Sequence, residues 1–200
     1  MSTPDSPSLP NSQDPLQALT EQEREELVSL QRLERRRKGE HLFRSGQPLS
    51  QYFTVVEGCV RTYHLHDGEE FTLDFYTEGQ TVLPAVASKG IVAPSFAVCM
   101  EDCLLNVTDE QLEQEVFARL PRLKEICRQQ GEQLQLTHQQ ELALHKSATP
   151  EQRYAHLLAT RPSLLQRVPQ YQIASYLGIK PESLSRLRKR LQKNSSGTST

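Results

Sequence analysis

Two periods of apolar spacing divide the chain. Over 41–107 the apolar positions come in short runs, at 41–44, 52–57, 59–65, 71–76, 96–100 and 103–107, with glycines at 46, 58, 68, 79 and 90 between them. Runs of this length bounded by turn residues predict β-strands. Phe71, Leu73 and Phe75 alternate with Thr72 and Asp74, which predicts one buried face carrying the apolar three, and Asp67-Gly68 is a two-residue hairpin signal. Several short antiparallel strands in sequence predict a small barrel or roll. After residue 108 the spacing lengthens. Leu112, Val116 and Leu120 fall at fours before Pro121, and Leu123, Cys127, Gln130, Leu134, Thr137, Glu141 and Leu144 follow at alternating fours and threes. The second set is a diluted coiled-coil seam on a helix over 122–146, able to face a second copy or to lie along the roll of its own chain. Ahead of the roll, Thr20-Glu21-Gln22-Glu23 fits a capping box, with Leu27, Leu30 and Leu33 behind it. Arg35 to Lys38 read as a solvated strand entering the roll and ending at the Lys38-Gly39-Glu40 turn, in preference to a second nucleic-acid contact.

The C-terminal quarter is helical in pattern. Ser147-Ala148 is the expected hinge, and Thr149-Pro150-Glu151-Gln152 supplies a threonine cap, a first-turn proline and a glutamine at the capping-box position. Tyr154, Leu157 and Leu158 form an inner stripe, Arg161-Pro162 ends that helix, and Leu164, Leu165 and Val168 are expected to pack beneath the last two helices of the chain. Ile173, Ala174 and Leu177 then lead to Gly178, a residue suited to the left-handed conformation that ends a helix. Pro181 opens another helix, whose inward stripe is Leu184, Leu187 and Leu191. Two helices across a tight glycine turn, the second one basic, predict a helix-turn-helix. Glu182, Ser185, Arg186 and Lys189 share the face away from the leucines. Arginine can donate two bonds to guanine and glutamate can accept from cytosine, so Glu182, Ser185 and Arg186 are the candidate base readers. Lys180, Arg188, Lys189, Arg190 and Lys193 suit the phosphate backbone of double-stranded DNA. The bland alternative is a solvated basic helix.

Charge strengthens the first reading. The net charge of −2 conceals nine Lys/Arg against two acidic residues from Pro150 onward, a net +7, and fourteen against twenty-three before it, a net −9. Such asymmetry points to nucleic acid and places the contact near the C-terminal end. No stretch approaches the roughly 18 apolar residues of a membrane span and residues 1–13 lack a secretory pattern, so a cytoplasmic protein with no membrane partner is expected. The four cysteines, Cys59, Cys99, Cys103 and Cys127, are too scattered for a disulfide framework. His64 and His66 share a strand face opposite Cys59, so ordinary core thiols are expected, with no metal site and no cofactor. No G-x-S-x-G, P-loop, H-E-x-x-H or dinucleotide fingerprint occurs, so no enzyme is expected.

The run Ile173-Ala174-Ser175-Tyr176-Leu177-Gly178-Ile179 followed by Pro181-Glu182-Ser183-Leu184-Ser185-Arg186 resembles the helix-turn-helix of the Crp/Fnr transcription regulators. In that family a glutamate and an arginine four residues later, often with a serine before the arginine, make the main base contacts. Glu182, Ser185 and Arg186 stand at those positions, whereas Lys180 replaces the usual serine or threonine helix cap. The resemblance implies an α+β chain: a disordered arm over 1–15, a cyclic-nucleotide-binding-like β-roll over 16–120, and a dimerisation helix with hinge over 121–147. A C-terminal winged-helix or helix-turn-helix domain over 148–193 and a disordered tail over 194–200 complete it. The implied partners are a second copy of the chain, double-stranded DNA, RNA polymerase and a small-molecule effector of unknown identity. The cyclic-nucleotide binders of the family place a Gly-Glu pair and then an arginine in the stretch matching 79–96. Here Leu83-Pro84 stands for Gly-Glu, the stretch 92–95 holds no arginine, and Lys89 is the only cation in 79–96. A lysine is a poor substitute for the planar fork of an arginine. Leu83, Pro84, Lys89, Pro94 and Ser95 therefore outline a degenerate effector pocket not expected to take cyclic AMP. Oxygen-sensing members carry an N-terminal cysteine group, and no cysteine precedes Cys59 in this sequence. The function expected is sequence-specific transcription regulation at inverted-repeat promoter sites. The alternative is a cyclic-nucleotide- or small-ligand-binding signalling module whose last domain contacts protein.

Overall fold

The structure is a computed structural model that describes residues 18–82 and 92–196, with side chains described as far as Leu191. The arm over 1–15 and residues 197–200 of the tail lie outside the described residues. Thr20 caps helix α1 (Glu21–Ser29) with the reciprocal Thr20–Glu23 capping box. Among the described residues eight strands follow: β1 (Leu33–Arg36), β2 (His41–Phe43), β3 (Gln51–Glu57), β4 (Val60–His66), β5 (Glu69–Tyr76), β6 (Thr81–Val82), β7 (Phe96–Cys99) and β8 (Cys103–Asp109). They form two four-stranded sheets, ordered β1-β8-β3-β6 and β2-β7-β4-β5, and the pairs are antiparallel throughout.

The sheets close on Phe53, Val55, Leu105 and Val107 from one and Phe43, Val60, Ala97 and Cys99 from the other. Gly58, at the turn between β3 and β4, is required for two reasons. Its φ of +106° disfavours a side chain, and a Cβ there would meet Cys103 Sγ at 2.6 Å and the Asp102 carbonyl at 2.9 Å. The Asp67-Gly68 hairpin forms as the sequence predicts, with φ of +51° and +81°.

Strand β5 departs from its alternation. Phe71 and Leu73 are 46% and 44% exposed, whereas Thr72 is buried at 7% and Phe75 fully buried. Thr62 pairs with Asp74 and Tyr63 with Thr72, so Leu73 is bulged out of the β4–β5 ladder. An extra residue of this kind reverses the facing of everything before it, which is why the alternation named the wrong face over the first half.

Helix α2 (Glu110–Arg119) starts at Asp109, whose carboxylate accepts the Leu112 N–H at 2.8 Å. Helix α3 (Pro121–Ser147) follows, opened by a first-turn proline. Leu19, Leu120 and Leu123 form a small cluster with Leu27, Val116, Phe117 and Ile126, fastening α1 to the α2–α3 corner. Of the seam residues, Leu123 is buried and Leu134, Thr137, Glu141 and Leu144 are half-buried against their own chain, while Cys127 and Gln130 are exposed.

Four more helices follow among the described residues: α4 (Pro150–Thr160), α5 (Leu164–Arg167), α6 (Gln170–Tyr176) and α7 (Pro181–Ser196). The described residues after α3 contain helices and no strand, so they build the helix-turn-helix without a wing. α7 extends to Ser196, past the expected start of the tail at 194, because nothing between Leu191 and Ser196 is a helix breaker. Tyr154, Leu157, Leu164, Val168, Ile173, Leu177, Leu184 and Leu187 share one core with Cys59, Phe75 and Met100 of the roll. The C-terminal helices are thus packed on the roll.

Candidate nucleic-acid interface

The turn between α6 and α7 is built by backbone chemistry. Gly178 takes φ +67°, and its N–H donates to the Ser175 carbonyl while the Ile179 N–H donates to the Ala174 carbonyl, both at 3.0 Å. This pair of bonds is a Schellman motif, which satisfies the last carbonyls of α6 and turns the chain sharply. Ile179 packs against the core just beyond it. Across the turn the Lys180 carbonyl accepts from Ser183 and Leu184 at 3.0 and 3.2 Å, and Pro181 occupies the first turn, where its missing N–H costs nothing. Arg153 of α4 holds this corner: Nε donates to the Leu177 carbonyl at 3.0 Å and Nη1 to the Ala148 carbonyl at 2.8 Å. The expected hinge and the turn are tied by one guanidinium.

On α7 the inward stripe is buried, Leu184 at 1% and Leu187 at 6% exposure, with Leu191 partly buried beside them. Glu182, Ser185, Arg186 and Lys189 are exposed on the other side. Among the described residues Arg186 makes one weak bond, from Nε back to the Glu182 carbonyl at 3.4 Å, which leaves most of its guanidinium open at the surface. Lys180 is exposed and Arg188 half-buried. Arg190 reaches Glu151 of α4 at 2.6 Å in a pair that is 60% and 45% exposed, a surface contact a phosphate can replace. The Lys193 side chain lies outside the described ones.

Of the effector residues, Leu83, Pro84 and Lys89 lie outside the described residues. Pro94 is exposed, whereas Ser95 is buried at 1% and its hydroxyl has no hydrogen-bond partner among the described residues. Sequence reasoning passed over the buried cation of the roll, Arg61, which is 3% exposed. Its guanidinium lies 4.4 Å from the centre of the Tyr63 ring, donates to Thr72 Oγ1 at 3.3 Å and pairs with Glu70. Arg61 is therefore already neutralised.

The contacts that dock the C-terminal helices were also invisible in the pattern. Arg167 donates to both oxygens of Glu78, at 2.9 and 2.8 Å, and through Nε to Glu101 at 2.9 Å. This guanidinium pulls the Glu78 carboxyl down to about 2, helped by the N–H of Gly58. Arg161 donates to Asp74 at 2.8 Å and to the Phe75 carbonyl. The Ser175 hydroxyl accepts the Thr72 N–H at 2.9 Å and donates to the Glu70 carbonyl at 3.2 Å, so α6 lies along β5. Each partner is scores of residues away in sequence, where no spacing rule reaches.

The sheets, the long helix and the helix-turn-helix have counterparts. Residues 33–119 match the cyclic nucleotide-binding domain family. An anaerobic regulatory protein of Pasteurella multocida (strain Pm70) is 26% identical over 190 residues, which is 88% of this chain and 68% of that protein. The transcriptional activator protein anr of Pseudomonas aeruginosa is 26% identical over 171 residues, 79% of this chain and 69% of its own. Among solved structures, FixK2 from Bradyrhizobium japonicum superposes with a TM-score of 0.67 at 19% identity, covering 82% of this chain and 86% of that one. The c-di-GMP responsive global regulator CLP of Xanthomonas campestris gives 0.66 at 19% identity, covering 87% and 92%; both are likenesses of fold. With a roll that matches the cyclic nucleotide-binding domain family over 33–119, a long following helix and transcription regulators among its relatives, the chain is similar to the Crp/Fnr regulators in the roll and in sequence.

Proposed function

We propose that the chain is a homodimeric, sequence-specific DNA-binding regulator in which Glu182, Ser185 and Arg186 read base edges. Lys180, Arg188, Lys189, Arg190 and Lys193 hold phosphates, and α3 supplies the contact between copies. The observation that carries the reading is the orientation of α7: its leucines are buried while the glutamate, serine and arginine stand exposed past a Schellman turn. A two-fold pair would present two such helices about 34–36 Å apart, matching half-sites one helical turn apart. On a promoter such a dimer would act by favouring or obstructing RNA polymerase. The roll would bias the docking of the C-terminal helices through an effector unlike a cyclic nucleotide, since its cation Arg61 is occupied by Glu70.

The test is fluorescence anisotropy with a duplex selected from random sequence and a scrambled control, across a salt series, with sedimentation to give the mass. The reading requires tighter binding to the selected duplex, affinity that falls steeply with salt, and a dimer as the binding species. Equal affinity for both duplexes, or salt-independent binding, would favour a module whose last domain contacts protein.

A further inference from the structure

Helix α3 carries His138 and Glu141 one turn apart, so both project toward the same side, and there they meet Asp74 of β5. One imidazole nitrogen and one oxygen of each carboxylate all lie within 4.8 Å of one another. Around an ion bonded at about 2.1 Å, tetrahedral donors stand about 3.4 Å apart, so the three side chains have only to draw together slightly to hold one. The sequence offered no such spacing because Asp74 lies on a different element far from the other two.

Asp74 and Glu141 are both half-buried, and they are served unequally. The Oδ1 of Asp74 accepts from the Phe75 N–H at 2.7 Å and from Arg161 at 2.8 Å, whereas among the described residues nothing donates to its other oxygen. No described residue donates a hydrogen bond to the Glu141 carboxylate. Burial, and then the charge of Asp74, push its carboxyl up. Two adjacent carboxylates, one without a donor among the described residues, beside an exposed imidazole, form a ligand set that a cation would complete.

We propose that Asp74, His138 and Glu141 bind a first-row divalent cation, best matched by zinc, with remaining positions open to water. The imidazole selects against magnesium and calcium, which prefer all-oxygen sites, and the two carboxylates offset the charge of the ion while Arg161 stays on the other side of Asp74. The ion would join α3 to the roll. Through the other oxygen of Asp74 it would also bear on Arg161, and so on the docked C-terminal helices. This inference stands independently of the DNA reading.

The experiment is calorimetric titration of the reduced, chelator-free full-length chain with zinc chloride. His138→Gln, Glu141→Gln, a His64→Gln/His66→Gln double variant and Cys127→Ser are titrated alongside, each checked for its fold by circular dichroism. The expected result is one ion per chain, weakened at least about tenfold in His138→Gln and in Glu141→Gln, because losing a direct ligand costs no less than losing its outer support. The His64/His66 and Cys127 variants should bind as the parent does. Failure to bind zinc, affinity unchanged in both ligand variants, or loss of binding in either control would overturn the proposal.

Discussion

Arg186 and Arg190 stand one turn apart on α7 with different surroundings. Arg190 is engaged by Glu151, whereas among the described residues Arg186 bonds only a carbonyl of its own helix. Replacing Arg186 by alanine should cost about 1–3 kcal/mol on the preferred duplex and relax the preference at one base pair per half-site. Lys193→Ala should instead weaken all duplexes alike and lower the salt slope by about one. Competition binding with specific and random DNA distinguishes the two; equal losses on both duplexes for Arg186→Ala would remove its reading role. At this scale the sequence was informative where chemistry is local. Gly178, Pro181 and the leucine stripe declared the turn, because a left-handed residue, a first-turn proline and a spacing of three and four each act within a few residues. Arg153, Arg161, Arg167 and Ser175 gave no such sign, since each is defined by a distant partner.

Elements show where pattern alone fails. The strands of the roll were legible to within a residue or two, but the bulge at Leu73 inverted the facing of β5. A bulge is a relation between two strands, so the alternation of one cannot reveal it. Glycine makes opposite predictions in two helical contexts. Gly178→Ala places a Cβ at φ +67° with ample room, the nearest atom being 4.0 Å away, so conformational strain alone should destabilise the chain by about 1 kcal/mol. Gly131 lies inside α3 with nothing within 4 Å, so Gly131→Ala should stabilise by about 0.5–1 kcal/mol. Urea denaturation of the two variants measures both signs; a shift in the same direction would contradict this account of the helices.

For the whole molecule, the notable feature is that the C-terminal helices share a core with the roll and are clasped to it by Arg161 and Arg167. The face that carries Glu182, Ser185 and Arg186 is nonetheless exposed, so docking on the roll leaves it open. Arg167→Ala should loosen the clasp and speed hydrogen exchange in α6 and β5 while leaving exchange in the sheet core unchanged. The clasp also has a pH signature. Glu78 is held at about 2, below its ordinary 4.5, so its contribution is complete above that ordinary value and is lost as pH falls toward 2. Because Glu78 is 49% exposed, solvent screens the effect and the contribution is modest. Glu78→Gln should therefore flatten the acid-induced loosening between those limits, read by the same exchange experiment; an identical acid response in the variant would assign the loosening elsewhere.

The most direct measurement is parallel selection of bound duplexes from a random pool by the parent chain and by Arg186→Ala. The parent should enrich an inverted repeat whose half-site centres are about 10 base pairs apart, and the variant should keep that spacing while losing its preference at one symmetric position in each half. Enrichment of no sequence by the parent, or an identical preference in the variant, would contradict the claim that the outer face of α7 reads DNA.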